Sequence, residues 1–138
     1  MKKLFVDTNI LIDLLSKRAP FYEAAAALFS LADKKKVNVS ISSLTIANAC
    51  YVLRQQMDVN NSKSILRKLR LIVDVIPLTD KVVDLALNDE TFTDFEDALQ
   101  YFSAMENQQE IIISRNLKDF KNSKIPTLTA QQFIESIH

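Results

Sequence analysis

Asp7, Asp94, Asp97, Asn116 and Asp119 are the residues whose types and placement could do chemistry here. Asp7 directly follows the apolar run Leu4-Phe5-Val6. A strand that ends on an acidic residue delivers it to the edge where parallel α/β folds gather ligands. Asp94 and Asp97 stand three residues apart at the start of a helical pattern, so they share roughly one face. Ser114-Arg115-Asn116, with Asp119 beyond, follow the apolar run Ile111-Ile112-Ile113. Carboxylates and amide oxygens are hard donors of the kind that hold Mg²⁺ or Mn²⁺. Such an ion activates water and stabilises the charge of phosphodiester displacement without help from histidine. Each residue also has a structural use. An Asp after a strand caps the next helix, acidic residues suit a first turn, and Asn116 or Asp119 can shape a loop. Spacing alone leaves both uses open.

Other catalytic chemistries are poorly supplied. The only histidine is His138, the only cysteine is Cys50, and the chain has no glycine. A P-loop, a dinucleotide fingerprint and a nucleophile elbow all need glycines, so those classes fall away. One cysteine makes neither an internal disulfide nor a multi-cysteine zinc site. A reducing cytoplasm is the expected compartment. Three apolar residues before Asp7 make no signal peptide, and no apolar run reaches membrane-spanning length. Lys+Arg and Asp+Glu balance at 17 each, so net charge does not point to nucleic acid. A phosphatase of the haloacid-dehalogenase type is excluded because it needs a second Asp two positions after the first, where this chain has Asn9.

The elements that must position these residues alternate. Strands are predicted at Leu4–Val6, Val37–Ile41, Val73–Pro77 and Ile111–Ile113, with an edge strand at Pro126–Leu128. Between them lie helical patterns over Ile10–Leu15, Phe21–Ala32 after Pro20, Leu44–Val52, Ser62–Leu71, Val82–Leu87 and the stretch to Met105. Ser42 or Ser43 caps the third of these, and Thr79 the fifth. Thr93 with Glu96, and Thr129 with Gln132, have capping-box spacing. Strands apolar on both sides, alternating with helices, predict one α/β domain over residues 1–138. It has three α/β/α layers around a central, mostly parallel sheet.

Three motifs taken together carry a resemblance. Val6-Asp7-Thr8-Asn9-Ile10-Leu11, Asp94-Phe95-Glu96-Asp97-Ala98-Leu99-Gln100 and Ile113-Ser114-Arg115-Asn116-Leu117-Lys118-Asp119-Phe120 together resemble the PIN-domain family, in order and over the whole chain. The resemblance implies a Rossmann-like core and a Mg²⁺- or Mn²⁺-dependent ribonuclease, with VapC-type toxins and their antitoxins among the small bacterial members. It casts Asp7 as the first metal ligand, oriented by Thr8 or Asn9. Asp97 becomes the acidic residue of the later helix, Asp94 its companion, Asn116 a neutral helper and Asp119 a reserve carboxylate. Arg115 and Lys118 are the expected RNA contacts. RNA and an antitoxin are the implied partners, and a homodimer is in keeping with the family. At one position the chain departs from the pattern. Where the family usually has a Glu in the helix after the second strand, this chain has Asn48. An uncharged oxygen there weakens metal binding, and the alternative function is a PIN-fold module that binds RNA or protein with weak or no cleavage.

Overall fold

The computed structural model describes residues 1–137. Its centre is β1 (Lys2–Val6), which pairs in parallel with β2 (Val37–Ser42) on one side and β4 (Ile111–Ile113) on the other. Outside these lie β3 (Asp74–Ile76) and β5 (Thr127–Leu128), also parallel, giving the order β3-β2-β1-β4-β5. The expected mostly parallel sheet is parallel in all four of these pairings. The sense in which strands are added along the sheet reverses between β1 and β4, and the crevice outside their carboxyl ends is where such folds bind ligands. Asp7 lies at that point, its N–H donating to the Ile113 carbonyl at 2.9 Å.

Side chains of β1 alternate between two cores. Leu4 and Val6 pack with α1 (Thr8–Leu15), α2 (Tyr22–Asp33), α3 (Ser43–Leu53), α4 (Val59–Leu69) and α7 (Ala130–Ser136). Phe5 faces the opposite way, onto Tyr101 and Ala104 of α6 (Phe95–Glu106) and onto Phe120. That second layer is completed by α5 (Asp80–Asn88), packed on α6. A 3-10 turn at Leu117–Phe120 follows β4 and brings Phe120 beneath the sheet. The chain is therefore a three-layer α/β/α domain.

Helix starts show where local rules compete. Ser42 caps α3, its Oγ accepting from Thr45 N–H, and the Thr129–Gln132 capping box forms at α7. The Thr93–Glu96 box does not form: Asp94 is the cap of α6, accepting from Asp97 N–H. Asp94 and Asp97 have the same three-residue spacing, and Asp is at least as good a cap as Thr. The shift by one residue releases Glu96 from folding back on Thr93. Similarly, α4 begins three residues before Ser62 because Asp58 caps it, and α2 begins at Tyr22, two residues after Pro20.

Helix ends show what a glycine-free chain does instead. Lys17, Lys35 and Gln108 are left-handed, with φ of 50°, 58° and 54°, each one residue past the cap of α1, α2 or α6. Each ends its helix with paired 6→1 and 5→2 hydrogen bonds, such as Lys36 N–H to Leu31 and Lys35 N–H to Ala32. Glycine usually takes this position because any Cβ crowds the following carbonyl, at about 1–2 kcal/mol. Lys35→Gly should therefore raise stability by about 0.5–1 kcal/mol, the relieved strain exceeding the added freedom of the unfolded chain. Urea unfolding of the two proteins measures this, with Lys35→Val expected to shift the midpoint the other way.

Candidate functional site

Asp7 is 6% exposed, and every hydrogen bond it accepts comes from a neutral donor. Asp7 is the cap of α1, and the N–H of the first helical residue, Thr8, donates to Oδ1 at 2.8 Å. Ser114 Oγ, at the end of β4, donates to Oδ2 at 2.8 Å, and Gln100 Nε2 approaches Oδ1 at 3.4 Å. Burial outweighs these bonds and raises the Asp7 carboxyl above its ordinary value.

Gln100 joins Asp7 to a second polar set. Its Nε2 donates to Thr8 Oγ1 at 3.2 Å and to Thr45 Oγ1 at 2.9 Å, while the two threonine hydroxyls meet at 2.8 Å. Its Oε1 is buried without a partner, as is Asn9 Oδ1. Sequence reading missed Gln100, Thr45 and the role of Ser114. The signal for Gln100 was present: a polar residue one turn after Asp97, set among the apolar Ala98, Leu99 and Tyr101.

Around Asp7 opens a pocket of about 300 Å³ at the carboxyl end of the sheet. Asp94, Glu96, Asp97 and Asp119 line it with Asp7, so five carboxylates face one guanidinium, Arg18. Thr8, Asn9, Asn48, Gln100 and Asn116 also line it. The structure thus gathers Asp7, Thr8, Asn9, Asn48, Asp94, Asp97, Asn116 and Asp119 in one place. Asp97 records the crowding. Its carboxyl is pushed up to about 7, first by desolvation, then by the charges of Asp7, Asp94, Asp119 and Glu96.

Arg115 and Lys118 do not line this pocket. Lys118 is exposed on the 3-10 turn. The Arg115 guanidinium is held by the fully buried Asp13, through Nε at 2.8 Å and Nη2 at 3.2 Å. It also lies 4.2 Å from the centre of the Phe21 ring. The pair ties the segment after β4 to α1, and so braces the Ser114 hydroxyl against Asp7.

A doubly wound parallel sheet carrying an acidic pocket at its switch point defines a Rossmann-like three-layer domain. The chain belongs to the PIN-domain family, whose model matches residues 3–118. A ribonuclease, VapC1 of Aquifex aeolicus, is 29% identical over 97% of this chain and 94% of its own length. Among solved structures, the DNA-bound VapBC of Salmonella typhimurium is similar in fold, with a TM-score of 0.70 at 16% identity over 94% of this chain and 99% of that one. A toxin–antitoxin complex from Klebsiella pneumoniae gives 0.69 at 24% identity, covering 92% and 97%.

The raised Asp97 pKa fixes a direction for stability against pH. Between about 4 and 7 the folded chain keeps a proton that the unfolded chain releases, so stability falls as pH rises through that window. Asp97→Asn removes this dependence. In chelator-treated buffer its urea midpoint should match the parent near pH 4 and exceed it at pH 8. A midpoint difference that stays constant with pH would contradict the crowding.

Proposed function

We propose that this chain is a divalent-cation-dependent endoribonuclease of the toxin type, with Mg²⁺ or Mn²⁺ held by Asp7, Asp97 and Asp94. The observation that carries the reading is the convergence of these carboxylates on one pocket at the switch point of the sheet. The donor set fits a hard cation. Burial, and after it the neighbouring carboxylates, raise the Asp97 carboxyl to about 7, and buried amide oxygens of Asn9 and Gln100 lack partners. Among the described residues, no three acidic, His or Cys side chains are grouped closely enough to enclose an ion as they stand. Binding would therefore draw the pocket's carboxylates inward.

When bound, the ion supplies activated water and stabilises charge developing on phosphate. The chain's own residues do the remaining work. Ser114, Thr8 N–H and Gln100 fix the Asp7 carboxylate so that its oxygens keep one orientation. Asp97, more accessible than Asp7, would release its proton on holding the ion. Asn116 and Asp119 close the side of the pocket beyond β4, and Arg18 offers a cation to the RNA backbone. Lys118, exposed on the turn after β4, extends that basic path, whereas Arg115 is held by Asp13.

An antitoxin protein is the inferred partner, since the Klebsiella pneumoniae structure similar in fold is a toxin–antitoxin complex. Among the described residues no helix is long and apolar enough to cross a membrane, and action in the cytoplasm is part of this proposal.

One observation favours a second reading, a module that binds RNA or protein without cutting. Asn48, a neutral residue, lines the pocket where the family usually has Glu. Cleavage of a fluorescent RNA by the purified chain decides between them. Mn²⁺-dependent cleavage is expected, falling more than about a hundredfold in Asp7→Asn and in Asp97→Asn with both proteins still folded. Unchanged cleavage in both variants overturns the mechanism. RNA binding without cleavage in the parent favours the second reading.

A further inference from the structure

Glu96 is exposed in the first turn of α6, where an acidic side chain suits the helix dipole whatever its direction. The dipole does not account for where the side chain goes. Its Oε1 accepts from Asn48 Nδ2 at 3.3 Å, a bond between α3 and α6 that spans 48 positions in sequence. Both residues line the acidic pocket. An exposed Glu ordinarily samples many rotamers, and holding it beside other carboxylates is unfavourable unless something else gains from its charge.

Two further features point the same way. Because Asp94 rather than Thr93 caps α6, Glu96 is not engaged in a capping box and its carboxylate is available. In the same pocket Gln100, 2% exposed, has a buried Oε1 with no hydrogen-bond partner. A wall lined by acceptor oxygens in this way is satisfied by a cation and not by another acceptor.

We propose that Glu96 is a ligand arm for the divalent cation, with Asn48 as the positioning residue that holds it over the pocket. The inference rests on the pocket being a cation site, as proposed above. It assigns the charge that position 48 lacks to α6, on the opposite wall. Asn48 suits the positioning role because its amide donates to the carboxylate. A Glu at position 48 would put a like charge within hydrogen-bond distance of Glu96.

Mn²⁺ titration by calorimetry on the full chain tests this, with urea midpoints confirming that each variant folds. Glu96→Gln should weaken Mn²⁺ binding about tenfold, and Asn48→Ala should weaken it by less, through loss of positioning alone. Asn48→Glu alone should bring little gain, because its charge repels Glu96. The double variant Asn48→Glu with Glu96→Gln should recover most of the lost affinity by moving the carboxylate across the pocket. Asp97→Asn serves as the reference for the site itself. If Asp97→Asn loses the ion while Glu96→Gln binds as tightly as the parent, the pocket holds a cation without Glu96 and this inference is overturned. If the parent takes up no Mn²⁺, the reading of the pocket fails first and this inference with it.

Discussion

A carboxylate that water scarcely reaches, satisfied only by neutral donors, is the constraint around which this molecule is arranged. Asp7 is buried at the end of the central strand with Ser114, Thr8 N–H and Gln100 as its donors. Desolvation of such a group is costly, and neutral hydrogen bonds offset only part of it. Each donor comes from a different element: the end of β4, the first residue of α1 and the second turn of α6. The pairing of β1 with β4 sets the Ser114 distance, and the packing of α6 on the sheet sets that of Gln100. A slip of one residue in the β1–β4 register would turn Asp7 toward the other face and remove both.

The buried Asp13–Arg115 pair is the counterpart of this arrangement. Here a carboxylate of 0% exposure is met by a full charge in fork geometry. The contrast between the two is informative. Asp13 is neutralised by the protein and is not available to a ligand. Asp7 has only neutral donors and faces a pocket lined by four more carboxylates. Removing Arg115 would leave Asp13 buried and unpaired, a loss of about 3–5 kcal/mol, whereas the Asp7 site gains from any cation that enters. Arg115 is thus spent on holding the frame, although its place beside Asn116 in sequence suggests contact with nucleic acid.

Much of this was legible in the residues. Apolar runs at Leu4–Val6 and Ile111–Ile113 marked the two strands that flank the switch point, because a strand covered on both faces has no polar alternation to disguise it. That Asp7 and Asp97 meet in one pocket was legible from their places at a strand end and a helix start. The start of α6 was not, because Thr93 and Asp94 both offer a cap with an acidic residue three positions on, and spacing cannot rank them. Glu96 was hidden by the same ambiguity: a capping-box Glu and a pocket-lining Glu look alike in sequence. Gln100, Thr45 and Ser114 were hidden for another reason. Their role depends on three elements meeting, and a neutral polar residue carries no local sign of such a meeting. The left-handed ends at Lys17, Lys35 and Gln108 were equally unmarked, since the usual sign is a glycine and the chain has none.

The charge balance of the pocket bears on how an anionic polymer could approach it. The chain as a whole is neutral, with 17 basic and 17 acidic residues, yet five of the acidic ones line a single pocket with Arg18 as its one cation. Phosphate brought to that pocket meets a field of its own sign, and the low-dielectric walls strengthen the repulsion. On the proposed reading the cation therefore has two uses, one in the chemistry and one in admitting the substrate. Protonation of Asp97 lowers the repulsion in the same direction but by only one charge, and on the proposed reading it does so at the expense of a ligand. Proton and cation thus compete for the same carboxylate. On the proposed reading, cation binding therefore strengthens as pH rises through about 7, where Asp97 gives up its proton.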